Sequence, residues 1–95
     1  MQLGDRVLCS AVLWRRTEVR SRQNDRKYWD TKTIEPREGV YIGMRTLANG
    51  ERWWEDEVGY VFEPKEHFRA ALVVFSEREN PVLIPLDALQ EAQHG

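Results

Sequence analysis

Short runs of apolar residues, several of them alternating with polar ones, recur along this chain and predict β-strands. The five runs are residues 6–14, 39–47, 59–62, 70–75 and 82–84. The first follows turn-forming residues at Gly4 and Asp5, and the fourth is apolar on both faces, as a central buried strand is. Pro64 and Pro85 close the third and fifth runs, because proline cannot donate a ladder hydrogen bond. We therefore expect a mostly β fold, a five-stranded antiparallel barrel or a strongly bent sheet.

An Asn-Gly pair at residues 49–50 stands between two strand-like runs and is a strong signal of a tight hairpin. Both central residues of a type I′ turn need positive φ, which Asn and Gly adopt at low cost. A two-residue turn there would place Arg45 opposite Trp54. Alternation then predicts that Trp53 points into the core, whereas Trp54 lies outside with Tyr41 and Arg45.

The rest of the chain completes a single small domain spanning residues 1–95, because two separate cores would each be too small to fold alone. Residues 17–36 show no sustained period, so we expect a long charged loop or a protruding irregular hairpin. Residues 86–92 favour one or two helical turns. The expected core contains Val7, Ile42, Val61, Leu72, Val74, Ile84 and Leu86.

The order of strand, long loop, hairpin, strand, tight turn, strand and helical turn resembles that of SH3-like small barrels. The segments that carry this resemblance are residues 4–7, 17–36, 49–50 and 85–89. Such barrels usually add a short strand after the helical turn, whereas this chain nearly stops there. The compact, Arg- and Trp-rich texture of the chain, together with residues 39–46 and 59–64, is also similar to that of small accessory proteins of bacteriophages. The second resemblance implies a factor that docks on a host protein in the host cytoplasm.

Charge is distributed unevenly, although 14 basic and 16 acidic side chains leave a net charge of only −2. Residues 1–32 hold eight basic and four acidic side chains, and the remainder is net acidic. In such a bipolar chain the charged residues either form solubilising faces whose opposite charges pair across the fold or form a docking patch.

Residue types that carry catalysis or bind metals are sparse. Cys9, the only cysteine, lies in an apolar run and is expected to be a small core residue. His67 and His94 are the only histidines, and a Cys9–His67 nucleophile pair would lack a third orienting group. No zinc-ligand spacing or phosphate loop is present, and the carboxylates at residues 55–57 are more typical of an acidic turn than of a cation site. We expect no enzymatic activity, no metal and no cofactor.

Aromatic residues near arginine define two candidate surfaces for a protein partner, because Trp, Tyr and Arg are enriched at binding hot spots. One surface comprises Tyr41, Arg45 and Trp54, and the other comprises Tyr28 and Trp29. Alternatively, the long charged segment folds over the first surface and buries Trp54 within the monomer. The sequence favours a protein-binding module whose partner it does not identify.

Two other functions stay open. Basic residues interleaved with aromatic rings suit nucleic acid, since cations neutralise phosphates and rings stack on bases. The candidate residues for that function are Arg15, Arg16, Arg20, Arg22, Arg26 and Lys27. The third hypothesis is a structural or assembly component, in which the basic segment of one copy meets the acidic hairpin of the next.

No apolar run approaches the length of a membrane span, and the first residues lack the basic and apolar segments of a signal peptide. We therefore expect a soluble, cytoplasmic protein that does not contact membranes.

Overall fold

The computed structural model describes residues 1–92 and contains five strands that pair antiparallel in one sheet. The strands are β1 (Arg6–Ser21), β2 (Asn24–Glu55), β3 (Gly59–Val74), β4 (Val82–Pro85) and β5 (Leu89–Glu91). Their order across the sheet is β4-β3-β2-β1-β5. The prediction of a mostly β fold with five antiparallel strands is confirmed.

The sheet is strongly bent, because its two edge strands are joined by a single turn of 3-10 helix, Leu86–Ala88. β4 pairs with β3 and β5 pairs with β1, so the opposite edges of the sheet are brought near each other. Within residues 1–92 no ladder joins β4 to β5, and the sheet is not closed. The helical turn is shorter than expected, because Leu89–Glu91 pair with residues 7–9 as a short strand.

The core lies inside the bend and is built from alternate residues of the strands. In β1 the side chains at positions 7, 9, 11 and 13 are buried, as the period of a strand requires. The central cluster is Val7, Cys9, Tyr41, Ala71, Val73 and Ile84.

The expected core is correct at some positions and wrong at others. Val7 and Ile84 are fully buried, Val61, Leu72 and Val74 are half-buried, and Ile42 and Leu86 are exposed. A register shift between Tyr41 and Gly43 exchanges the faces of β2, which puts Tyr41 inside and Ile42 outside.

The Asn-Gly pair at residues 49–50 is not a turn but lies inside β2. Asn49 pairs with Glu66 and Gly50 pairs with Pro64, so Lys65 is an extra residue at a bulge. A Cβ on Gly50 would overlap the backbone oxygen of Glu63, so a close approach of the two strands explains this glycine.

The actual tip of the β2–β3 hairpin is the three-residue turn 56–58. Gly59 closes it with a φ of 91°, a conformation that favours glycine. Trp54 therefore pairs with Tyr60, and the expected pairing of Trp54 with Arg45 is wrong.

Residues 17–36 form strand structure rather than a long loop, so the hairpin alternative is the correct one. β1 and β2 pair from Ser21 opposite Asn24, across a two-residue turn, down to Ala11 opposite Thr33. Both faces of this ribbon carry polar side chains, which explains why its sequence shows no alternation of apolar and polar residues.

Beyond the bent base, the chain extends as two hairpins, which we call the first hairpin (residues 14–33) and the second hairpin (residues 47–68). β2 contributes a strand to both, running from one tip into the base and out to the other tip. The molecule is accordingly elongated, with extents of 59 × 25 × 23 Å.

The two hairpins lie side by side. Near the tips, the Trp54 N–H donates to the Gln23 carbonyl oxygen at 3.0 Å. Closer to the base, the Trp29 N–H donates to Asn49 Oδ1 at 2.8 Å. The docked hairpins therefore form one layer with two opposite faces.

Candidate functional site

The first hairpin is basic, the second is acidic, and oppositely charged side chains meet where they dock. The first holds seven basic and three acidic residues, whereas the second holds two basic and six acidic ones. Arg20 Nη1 lies 2.9 Å from Glu51 Oε1, and Arg52 Nη2 lies 2.5 Å from Asp25 Oδ2. Part of the charge asymmetry of the sequence is therefore satisfied within the molecule.

One side of the docked hairpins combines cations with aromatic rings, and we call it the cationic–aromatic face. Its residues are Arg15, Lys27 and Trp29 on the first hairpin and Arg52, Trp54, Tyr60 and Phe62 on the second. They share a side because the side chains of directly opposed residues point to the same face of a hairpin. Arg15 lies opposite Trp29 on the first hairpin, and on the second hairpin Arg52 lies opposite Phe62 and Trp54 lies opposite Tyr60. The face thus arises from register rather than from neighbouring positions in the sequence.

The rings of the cationic–aromatic face are held by contacts among themselves and with arginine. Trp54 and Tyr60 meet edge to face with ring centroids 5.1 Å apart. The Arg52 guanidinium lies 4.2 Å from the centre of the Tyr60 ring, and the Arg15 guanidinium lies 5.6 Å from that of Trp29. Trp54 is 44% exposed and Tyr60 is 60% exposed, so both rings offer apolar area to a partner.

A cleft of about 250 Å³ lies between the hairpins on this face, lined by Arg15, Lys27, Arg52 and Phe62. Asp25 supplies a carboxylate beside it, but that group is largely buried and bonded to Arg52. Arg52 Nε is also buried without a hydrogen-bond partner within the described chain. The cleft is therefore rich in donors and positive charge.

We call the opposite side of the first hairpin the ladder face, and its arginines already have carboxylate or aromatic partners. Arg16 lies 4.9 Å from the Trp14 ring centre and bonds to Asp30 at 2.8 Å, while Arg26 lies 4.6 Å from the Tyr28 ring centre. The hydrogen bond from Arg16 lowers the pKa of Asp30, and the same bond raises the pKa of Arg16. These cross-strand contacts stabilise a ribbon that has little apolar surface to bury.

The structure brings together only two of the five residues expected to bind a protein. Trp29 and Trp54 lie on the cationic–aromatic face, whereas Tyr28 lies on the ladder face. Tyr41 is only 8% exposed and belongs to the core, which corrects its expected place on a binding surface. Arg45 donates to the Met44 carbonyl oxygen in the base, about 30 Å along the strand from Trp54.

The six basic residues expected to bind nucleic acid are divided between both faces and the tip. Arg15 and Lys27 lie on the cationic–aromatic face, and Arg22 lies in the turn. The other three are in ion pairs with carboxylates: Arg16 with Asp30, Arg20 with Glu51 and Arg26 with Glu18. They do not form one continuous basic patch.

Arg52, Tyr60 and Phe62 are the surface residues that sequence reasoning missed. Their signal is Gly59 as a turn residue, because a turn just before it pairs Tyr60 with Trp54 and Phe62 with Arg52. The stronger Asn-Gly signal at residues 49–50 concealed this register.

Other chemical groups lie away from the cleft. Cys9 is fully buried, and burial raises the pKa of its thiol. His67 is exposed on β3, and His94 lies outside the described residues. Within residues 1–92 no three His, Cys, Asp or Glu side chains gather as metal ligands. The part of the chain that the structure describes contains no helix of the length and apolarity that a membrane span requires.

Comparison with known proteins finds no match: no protein-family model, no curated protein and no solved structure matches this chain.

Proposed function

We propose that this protein is a non-enzymatic binding module that holds an extended, carboxylate-bearing segment of a partner protein against its cationic–aromatic face. The observation that carries this proposal is the cleft between the hairpins, which is lined by three cationic side chains and by Phe62. Trp54 and Tyr60 continue the apolar wall toward the tips. Large rigid rings beside arginine contribute most of the binding energy at many protein interfaces.

Charge supports an anionic partner. The cleft has Arg15, Lys27 and Arg52 on its walls, and the nearby Asp25 carboxylate is already bonded to Arg52. An aspartate or glutamate of the partner would bond to arginine through charge-assisted hydrogen bonds, which are stronger than neutral ones. Apolar residues on either side of that carboxylate would pack on the exposed rings.

A protein segment fits this surface better than nucleic acid does. Three of the six basic residues expected to bind nucleic acid are already in ion pairs with carboxylates, which lowers their attraction for phosphates. The acidic turn at residues 55–57 adjoins Trp54 and would repel a long polyanion. A short acidic peptide avoids that turn.

The same proposal includes an SH3-like barrel with two unusually long hairpins. It is supported by the strand order, by the 3-10 turn between the last two strands and by the short β5 that pairs with β1. Because the sequence resembles small accessory proteins of bacteriophages, the proposal also includes a partner that is a host protein.

The test uses two exposed tryptophans on opposite faces. Trp54 is 44% exposed on the cationic–aromatic face, and Trp14 is 45% exposed on the ladder face, so Trp14→Ala is a matched control for Trp54→Ala. We expect the wild type to select acidic peptides with flanking apolar residues from a peptide array. Trp54→Ala should weaken binding of the selected peptides by roughly tenfold or more in fluorescence anisotropy, and Trp14→Ala should leave it unchanged.

Three results would contradict the proposal. The first is that both tryptophan variants lose affinity equally, and the second is that neither does. The third is that labelled oligo(dT) binds with a steep salt dependence while no acidic peptide binds, which would transfer the function to nucleic acid.

A further inference from the structure

The outer edge of β1 in the first hairpin is a long, open strand edge. β5 covers β1 only at residues 7–9, and within the described chain no strand pairs with the outer side of residues 14–21. Those residues are exposed throughout, including Trp14 and Val19, which is 72% exposed. Unpaired N–H and C=O groups along such an edge are a template for another strand.

Within the described residues, the outer edge of β3 in the second hairpin is also unpaired over a similar length, but two of its residues obstruct pairing. Residues 59–67 of β3 contain Pro64, which lacks an N–H, and the extra residue Lys65 at the bulge. Both features prevent a further strand from pairing. Residues 14–19 contain no proline, and their pairing with β2 is regular up to the register shift after Val19. The β1 edge can therefore pair with a further strand, whereas the β3 edge cannot.

The residues of the β1 edge are complementary to a second copy of themselves. A two-fold axis that pairs identical edges antiparallel must be perpendicular to the sheet, which places one residue opposite its own copy. With Thr17 at the axis, Arg16 lies opposite Glu18 of the second copy, and the same contact occurs twice. The flanking pairs are Arg15 with Val19 and Trp14 with Arg20.

Neighbouring registers lack this complementarity. An axis at Arg16 would oppose two arginines, and an axis at Glu18 would oppose two glutamates, which is destabilising across a strand pair. An axis at Val19 would place the register shift between Val19 and Ser21 inside the contact.

We propose that two copies of this chain pair antiparallel along the β1 edge, with Thr17 at the two-fold axis. Each Glu18 then lies between Arg26 of its own chain, 3.7 Å away, and Arg16 of the second copy. The strands of the two first hairpins become one sheet. The contact is short compared with a standard interface, so the dimer dissociates on dilution.

The dimer also changes what the binding face presents. Because the axis is perpendicular to the sheet, both cationic–aromatic faces lie on the same side of the dimer. Two such faces engage a partner with two acidic segments more tightly than one face does. The pairing itself rests on the β1 edge alone and does not depend on the proposed ligand.

Sedimentation of charge-reversal variants tests the pairing. We expect the average mass of the wild type to rise from monomer toward dimer with concentration. Glu18→Arg and Arg16→Glu should each weaken dimerisation by about tenfold or more, because each opposes like charges at both symmetric contacts. The double variant with both changes should recover dimerisation. Glu57→Arg, at the tip of the second hairpin, is the control with the same change of charge as Glu18→Arg and should dimerise as the wild type does.

Hydrogen exchange of the wild type gives a second readout that needs no variant. Amides of residues 14–20 should become more protected as concentration rises, while those of the blocked edge, residues 59–67, should not change. A wild type that stays monomeric at every concentration would overturn the proposal. So would single variants that dimerise normally, a double variant that does not recover, or new protection confined to residues 59–67.

Discussion

Tyr28 and Trp29 are neighbours in sequence, but they lie on opposite sides of the first hairpin because successive side chains of a strand alternate. Trp53 and Trp54 are separated in the same way. The half-buried Trp53 donates from Nε1 to Glu55 at 3.0 Å, whereas Trp54 meets Tyr60 edge to face. A substitution at one aromatic of either pair therefore reports on one side of the molecule.

Cys9 provides a prediction at the residue scale. Its side chain is fully buried in β1, and burial raises the pKa of the thiol, so both access and thiolate formation are suppressed. We expect Cys9 to resist a thiol reagent such as DTNB in the native protein at neutral pH and to react fully in guanidinium. Rapid reaction of the native protein would show that the base opens readily around β1.

At the scale of elements, the length of the strands was the hardest feature to foresee. Alternation located the base segments of β1, β2 and β3, and it placed Val7 and Ile84 in the core. It did not reveal that β3 continues through Pro64, because the bulge that tolerates this proline depends on pairing with Gly50.

The sequence does not distinguish the first hairpin from a long loop, and the reason is different. A strand is recognised by one apolar face, and this ribbon has none; it is stabilised by ion pairs and by arginines stacked on rings. The register between the two strands decides which arginine faces which ring, and the residues that meet are often ten or more positions apart in the sequence.

The candidate site was foreseen only in part for the same reason. Trp54 is exposed as expected and Trp29 is half-buried on the same face, but Tyr41 lies on the core side of β2 rather than on a surface. The register shift after Tyr41 cannot be recognised from local propensity, and one residue of slip exchanges the two faces of a strand.

β4 and the following turn supply a prediction at the element scale. Ile84 is fully buried in the core, whereas Leu86 is 47% exposed in the 3-10 turn. Ile84→Ala should lower the free energy of unfolding by about 2–5 kcal/mol, because it leaves a cavity. Leu86→Ala should change it by less than about 1 kcal/mol. Urea denaturation of both variants would measure the difference, and equal losses would mean that Leu86 belongs to the core after all.

At the scale of the whole molecule, function depends on whether the two hairpins stay docked. Each hairpin alone would present only half of the cationic–aromatic face, since Arg15 and Lys27 come from one and Arg52 and Phe62 from the other. Opposite net charge and the Arg20–Glu51 ion pair favour docking, and salt should weaken this part of the attraction. The cleft exists only in the docked state.

Two backbone amides test docking most directly. The Trp54 N–H donates to Gln23 and the Trp29 N–H donates to Asn49, so both amides are bonded to the other hairpin rather than within their own ladder. Residue-resolved hydrogen exchange by NMR should find both amides protected to the same degree as their ladder neighbours. Exchange of both at the rate of an unfolded chain, with the ladders of each hairpin still protected, would show that the hairpins move independently and that the cleft does not persist.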